Sequence, residues 1–182
     1  MIESEAQRMN RLVQDLLTLA KMDAGTASFE MHVFELKPLF EAISWKFRPL
    51  VEAAGIDFQT MPLEGEVMIN GDPDQLMQVF NNLLDNAIKF TPPGGKISIF
   101  SQKVGQEIAI HVVDTGKGIP KSEQKRIFER FYQVDKARSS GHGYGLGLAI
   151  SKQILERHKG SISLTSKVGE GSHFVVKLPL QD

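Results

Sequence analysis

Cysteine is absent from the 182 residues, which excludes disulfide bridges and cysteine-based metal sites and fits a reducing compartment. A charge excess is absent too. Lys and Arg number 21 against 22 Asp and Glu, for a formal net charge of −1, so no global field draws the chain to nucleic acid or an anionic membrane. No run approaches the roughly 18 apolar residues of a membrane span, and the opening "MIESEAQRMN" has no signal-peptide pattern. The segment reads as soluble, though a longer parent is compatible with membrane attachment. Repeats and low-complexity tracts are also missing. What is left is 41% hydrophobic and 24% charged, an ordinary globular composition. The length suffices for one full core and a short extra element.

The clearest helix is the first stretch, residues 1–25. Met9, Leu12, Val13, Leu16, Leu17 and Ala20 form one apolar stripe, Arg11, Gln14, Asp15 and Lys21 take the other faces, and Gly25 supplies the stop. The stripe needs a partner, either its own domain or the other helices of a hairpin or dimer bundle. Then "MHVFEL" reads as a strand, and Pro38 opens a helix whose internal Pro49 is expected to kink or split it. "IDFQTM" and "EVMING" are strand-like. A long helix follows, with Asp72 as N-cap, Pro73 at the first turn and the stripe Leu76, Val79, Phe80, Leu83, Leu84, Ala87, Ile88. Two strands joined near Gly105, a short helix over "PKSEQKRIFERFYQ", an aperiodic loop at 133–145, a helix from Leu146 and a hairpin around Gly169–Gly171 complete the order. Strands mixed with helices and hairpins predict an α/β (α+β) two-layer sandwich, with a mixed sheet and helices on one face.

Three stretches carry chemistry. In "NNLLDNAIKF", Asn82 and Asn86 share a helix face, with Lys89 three residues further. Two amide oxygens and an ammonium suit a hydrated Mg²⁺ and the phosphates it bridges; the plainer alternative is a solvated helix face. In "IAIHVVDTGKGIP" an apolar strand ends in Asp114, followed by Gly116 and Gly118. A carboxylate there suits an exocyclic amine such as that of adenine; the plainer alternative is a tight turn. "GHGYGLGLAI" delivers alternating glycines to a helix N-terminus, where free N–H groups favour phosphate. No strand stands immediately before it, so it is not a Rossmann fingerprint, and no Gly-Lys-Ser/Thr follows, so it is not a P-loop. A polar loop feeding glycines into a helix looks like a lid over phosphates.

In this order the stretches resemble the catalytic, ATP-binding domain of two-component sensor histidine kinases, whose superfamily includes gyrase, a heat-shock chaperone and the mismatch-repair ATPase. "NNLLDNAIKFTP" is similar to the family's N box, "DTGKGIP" to its first glycine box, and "IFERFYQVD" to its F box. "GYGLGLAI" resembles the second glycine box and "GEGSHFVVKLP" the closing hairpin. "RMNRLVQDLLTLAKMDAG" resembles the end of the second helix of the dimerisation and phosphotransfer bundle. The resemblance therefore divides the chain into a bundle helix, 1–25, and a catalytic domain, 26–182.

It implies ATP and Mg²⁺ as ligands. Asn86 would be the principal metal ligand with Asn82 in support, Lys89 would touch the phosphates, and Phe90 would line the ribose side. Asp114 would bind the adenine amine, Gly116 and Gly118 would allow close approach, and Ile119 would pack on the base. Gly143, Gly145, Leu146, Gly147 and Leu148 would form the phosphate side of the lid hinge, with Ser172 near the adenine. Phe128 and Phe131 would anchor the lid. Gln133 stands where many kinases have arginine, which makes Arg130 the candidate lid cation, and Tyr144 is bulkier than the usual residue. Asn82 replaces the glutamate of the hydrolysing cousins, which favours phosphoryl transfer over hydrolysis. None of the five histidines, His32, His111, His142, His158 and His173, stands in the family's phosphoacceptor context. The resemblance places that acceptor on a helix upstream. It also implies a response-regulator receiver domain as partner, a homodimeric parent anchored in the membrane, and a cytoplasmic place for this segment. An ATP-binding regulatory module without chemistry and a hydrolysing ATPase are the alternatives.

Overall fold

The computed structural model describes residues 2–61, 63–134 and 144–181. Helix α1 (Ile2–Asp23) stops at a turn in which Gly25 has φ +68°. Strand β1 (His32–Glu35) leads directly into α2 (Leu36–Ala53), two residues ahead of Pro38. Pro49 neither splits this helix nor ends it. Its missing N–H leaves the carbonyl of Trp45 without its helical donor, on a stretch of the helix where Trp45 is 83% exposed.

Strands β2 (Asp57–Thr60) and β3 (Met68–Gly71) precede α3 (Pro73–Phe90), and β4 (Lys96–Val104) and β5 (Glu107–Asp114) follow it. The helix expected over 120–133 is reduced to a single 3₁₀ turn, Arg126–Phe128. Here Glu123 N–H reaches Pro120 O and Arg126 N–H reaches Glu123 O, while Gln124 is drawn sideways to Ile119 O and Ser166 O. Tertiary anchoring overrides the local pattern. After α4 (Gly147–Arg157) the chain closes with the hairpin β6 (Ser161–Lys167) and β7 (Gly171–Pro179).

Five strands form one sheet in the order β2-β4-β5-β7-β6, with β2 parallel to β4 and the other pairs antiparallel. β1 and β3 form a separate antiparallel ribbon. Alternation decides the faces. Ile97 and Ile99, Ile108, Ile110 and Val112, and Phe174, Val176 and Leu178 are buried, under α2, α3 and α4. On the opposite face Phe100, His111 and His173 are half-buried. There the His111 ring stacks on Phe100 at 4.5 Å, and its Nδ1 lies 2.8 Å from His173 Nε2. This is the two-layer mixed sandwich expected, helices on one side.

α3 is the axis of the core. Leu76, Val79, Phe80, Leu83, Leu84 and Ala87 are buried on its inner stripe. Each large side chain so placed contributes about 1.5–3 kcal/mol of transfer energy. The start of α3 is fixed by Asp72, whose Oδ1 accepts from Asp74 N–H and Gln75 N–H at 3.0 and 3.2 Å. Asp72 N–H in turn donates to Nε2 of buried His158 at 2.9 Å, while His158 Nδ1 lies 2.7 Å from Ile154 O. Nε2 therefore carries the lone pair and Nδ1 the proton. His158 joins α3 to α4 instead of serving the end of α4 as a cation.

α1 docks by one face, with Leu12 half-buried against the core. Leu19 and Met22 are buried, whereas Met9, Val13, Leu16 and Leu17 are exposed. Among the described residues no helix is long and apolar enough to cross a membrane.

Candidate functional site

The outer face and C-terminal end of α3, the turn after β5 and the start of α4 hold the candidate residues. Asp114 closes β5 and is 6% exposed. Its Oδ1 accepts from Gly116 N–H at 2.8 Å and from Ser172 N–H at 3.2 Å. Ser172 is its register partner on β7, so the pairing of the two strands delivers the second donor. Burial pushes the Asp114 carboxyl above its ordinary value, and the two N–H groups pull it partly back. Both donors reach the same oxygen, which leaves the second outside this pair of bonds.

The turn itself is fastened on three sides. Lys117 N–H donates to Phe90 O at 3.2 Å, and Gly169 N–H donates to Lys117 O at 2.9 Å. Gly118 takes φ +70°, and a Cβ there would overlap the Lys167 carbonyl in the β6–β7 hairpin. Only glycine permits that approach. Ile119 N–H donates to Ser166 Oγ at 2.8 Å, and Ser166 Oγ donates to Gly171 O at 2.7 Å. That bond uses the Ser166 proton, so Ser172 Oγ, 3.2 Å away, is the donor in the Ser172–Ser166 bond. Ser166 and Gln124 thus hold the turn without belonging to any stretch marked in the sequence. Polar residues of this kind give no periodic signal.

Beside this turn an open cavity of about 610 Å³ is bordered by Lys89, Phe90, Thr91, Thr115, Gly116 and Lys117. Lys89 Nζ and Lys117 Nζ lie 4.6 and 4.8 Å from the centroid of the Phe90 ring, a double cation–π arrangement. Burial, and then the charge of Lys117, push the Lys89 ammonium below its ordinary value. Lys117 has no counterpart in the sequence expectations. It lies between Gly116 and Gly118.

Asn82 is engaged with α4. Its Nδ2 donates to Gly147 O at 2.9 Å and to Ser151 Oγ at 3.1 Å, and Ser151 Oγ donates to Gly147 O at 2.9 Å. This triangle fixes the first turn of α4 against α3. Asn86, one turn further and half-buried, takes no part in it. α4 starts at Gly147 without a side-chain cap, so first-turn N–H groups have no partner within the helix. Leu146 is buried beneath that end and Leu148 is half-buried. Gly145, at φ +72°, accepts from Phe131 N–H at 2.9 Å. A Cβ on Gly145 would meet Tyr132 O at 2.5 Å. Gly143 and most of the expected lid lie outside the described residues. Phe128 is half-buried and packs on the core, whereas the Phe131 side chain is exposed and holds its place through the backbone. Arg130 is not at the cavity: its guanidinium is committed to Asp23 of α1, at 2.6 and 2.7 Å.

A buried carboxylate among glycines, an amide-bearing helix and an uncapped glycine-led helix coincide with one known arrangement. The family of histidine kinase-, DNA gyrase B- and HSP90-like ATPases matches residues 71–182. The chain belongs to this family. Within it the chain is the catalytic, ATP-binding domain of a histidine kinase, and its relatives are two-component sensors. The sensor protein SrrB of Staphylococcus aureus is 39% identical over 176 residues, 96% of this chain and 30% of SrrB. The chain thus spans about a third of the length of the curated relatives it matches. Full-length ShkA in complex with AMPPNP superposes with a TM-score of 0.80 at 27% identity, covering 93% of this chain and 35% of ShkA. The nucleotide-free catalytic domain of histidine kinase ThkA gives 0.71 at 28% identity, covering 82% and 95%. ThkA in complex with its response regulator protein TrrA, at 24% identity and 0.73, shares the fold; that pair covers 95% of this chain and 49% of ThkA.

Proposed function

We propose that this histidine kinase domain binds Mg·ATP and transfers the γ-phosphoryl group to a histidine of a dimerisation and phosphotransfer domain, from which a response-regulator aspartate receives it. The observation that carries the reading is Asp114: a buried carboxylate with one oxygen taken by two N–H groups and a second available for a donor. An adenine exocyclic amine supplies such a donor, and the glycines beside it admit a flat ring. Ile119 packs on the base and Ser172 lies beside it. Phe90 and Lys89 face ribose and phosphates, and the first turn of α4, with Gly145, Leu146, Gly147 and Leu148, receives the phosphates.

The residues fit Mg²⁺. The Asn86 carboxamide oxygen is a hard donor of the kind this ion takes, and Mg²⁺ relies on waters and substrate phosphates where a protein cage is lacking. Among the described residues no three His, Cys, Asp or Glu side chains come together as such a cage. Asn82, its nitrogen bound to α4, has its oxygen left to support the metal or its waters. Held by Asn86 and supported by Asn82, the ion would offset the charge that develops on the phosphoryl oxygens. The attacking imidazole nitrogen forms the bond to γ-phosphorus as the bond to the bridging oxygen breaks, and ADP leaves. Asn82 is no general base, which favours this transfer over hydrolysis. His32, His111, His158 and His173 are each bonded within this chain, consistent with an acceptor on another domain. A homodimeric parent, anchored in the membrane with this domain on the cytoplasmic side, belongs to the same proposal.

Calorimetric titration with ATP, with Mg²⁺ and with EDTA, tests the binding. The parent is expected to bind more tightly with Mg²⁺, and Asn86→Ala to erase that difference; an unchanged difference removes Asn86 from the metal. Labelled ATP with a separately purified phosphotransfer domain tests the chemistry. Label on histidine supports the kinase, its absence favours a binding module, and fast turnover without an acceptor favours an ATPase.

A further inference from the structure

Arg130 forms a two-pronged bond with Asp23, the last residue of α1: Nη1 to Oδ2 at 2.7 Å and Nη2 to Oδ1 at 2.6 Å. The next residue, Phe131, is one of two described non-glycine residues with positive φ, at +62°. Its N–H is the donor to Gly145 O, immediately before the buried Leu146 and the start of α4. From Gly147 the path continues through Asn82 and Ser151 to α3. The last residue of α1 is therefore joined to the second glycine box by one ion pair, one peptide link and one backbone hydrogen bond.

The other contacts at the same place strengthen the joint. Gln153 Nε2 lies 3.4 Å from Asp23 Oδ1, and Arg157 Nη2 donates to Met22 O at 3.0 Å. The Asp23 carboxyl is held below its ordinary value by the Arg130 hydrogen bond first of all. N-terminal to this joint α1 keeps Met9, Val13, Leu16 and Leu17 exposed while Leu12, Leu19 and Met22 pack on the core, so Asp23 stands where the helix leads into the domain. The left-handed backbone at Phe131 is disfavoured for a non-glycine residue and persists only where its surroundings enforce it. Arg130 on one side and Gly145 on the other are those surroundings.

We propose that Asp23 is a positioning residue through which α1 regulates the nucleotide site: by holding Arg130 it fixes Phe131 against Gly145 and so sets the glycine-led start of α4. This rests on the nucleotide reading given above. It also assigns Arg130 to α1 in place of direct contact with ATP.

The test uses the full 182-residue chain with Asp23→Asn, Arg130→Gln, both together, and the exchanged pair Asp23→Arg with Arg130→Asp. One readout is amide hydrogen exchange at Phe131, whose N–H reports the bond to Gly145 whether or not nucleotide binds. The other is the Kd and dissociation rate of a fluorescent ATP analogue. An exposed pair is worth little to global stability, so melting temperatures should stay close to the parent's. Each single variant should speed exchange at Phe131 and weaken nucleotide about three-fold, a change of the size exposed ion pairs produce. The double variant should be no worse than either single, and the exchanged pair should restore both readouts. Unchanged exchange at Phe131 in Asp23→Asn overturns the coupling. So does an Arg130→Gln defect much larger than that of Asp23→Asn and unrescued by exchange, which would put Arg130 on the nucleotide. A parent that binds no nucleotide overturns the regulatory role together with the functional reading, while the exchange readout still reports the joint itself.

Discussion

Replacing Asp114 by asparagine separates what the site needs from what the fold needs. The amide keeps the shape and one oxygen, so the N–H groups of Gly116 and Ser172 retain their acceptor. The charge is lost. Burial is the larger influence on this carboxyl and raises it above 3.8, with the two N–H groups only partly opposing it. A raised folded value means that the folded chain holds the proton more readily than the unfolded one. The stability tied to this group is then full below the ordinary value and is lost as pH rises through the folded one. At neutral pH the ionised carboxylate opposes folding, and the asparagine variant should melt at or above the parent's temperature, with the gap narrowing as pH falls into the carboxylate range. The nucleotide response has the opposite sign. A hydrogen bond to a charged group is worth about 1.5–3 kcal/mol, and the variant presents either an uncharged oxygen or an NH₂ to the adenine amine. ATP should bind roughly 10- to 150-fold more weakly. Thermal denaturation from neutral pH down into the carboxylate range, at roughly pH 4, paired with calorimetric titration, reads both effects. A variant that melts several degrees lower and binds ATP normally would refute the argument, since Asp114 would then be a structural carboxylate.

Asn82→Ala removes two hydrogen bonds to α4 and is expected to cost about 1–3 kcal/mol of stability. If Asn82 acts chiefly by positioning, the variant weakens ADP in EDTA and Mg·ADP by similar factors; a loss confined to the Mg²⁺ complex returns it to the metal. Gly118→Ala forces a side chain into φ +70° and into the Lys167 carbonyl, a cost of about 2 kcal/mol or more. The melting temperature should fall by about 4–8 °C, and an unchanged value would show that the hairpin yields. His111 is pushed down by burial and then by His173, so the unfolded chain binds more protons over the window between the lowered value and about 6.5. Stability should therefore rise with pH through that window, and acidification from pH 7.5 to 5.5 should lower the melting temperature. His111→Phe, which keeps the stack on Phe100, should flatten the profile, as read by denaturation scans across the same range.

The parts of the fold that were legible in the sequence are those in which one periodicity acts alone. α3 carries an uninterrupted apolar stripe behind an Asp-Pro start, and β5 is an apolar run that ends in Asp114. Both stand where the pattern put them. The segment 120–133 did not, because its helix-like spacing competes with the long-range bonds of Gln124, which no local pattern encodes. Pro49 stands inside α2 without splitting it, on a stretch where Trp45 is exposed, and that exposure is a tertiary fact. In the site, residues that touch through backbone geometry were legible, since glycines near a strand end or a helix start leave a compositional trace. The residues that hold them were not. Ser166, Ser151, Lys117 and Asp23 sit in ordinary positions, and only the meeting of β6, α4 and α1 with the glycine turns gives them work. Arg130 was legible as a cation but its partner was not, because Asp23 lies 107 residues away.

That division follows from how such a site has to be built. A ring and a row of phosphates need bare backbone within reach, and bare backbone is conformationally loose, because glycine loses more freedom on ordering than any other residue. The looseness is restrained from outside. Ser166 Oγ and the Gly169 N–H hold the first glycine turn, while Asn82, Ser151 and the backbone of Phe131 hold the second. Each restraint is a single polar contact of modest net worth, so the two glycine turns are ordered by margins that one displaced partner can reverse. Three of the four principal restraints come from the sheet or from α3 and α4, whose inner faces are packed in the core. The fourth runs through Arg130 to α1, most of whose apolar stripe is exposed. That fourth restraint ends on an exposed ion pair, and it is therefore the one through which a movement of α1 would alter the order of the nucleotide site with least disturbance of the fold.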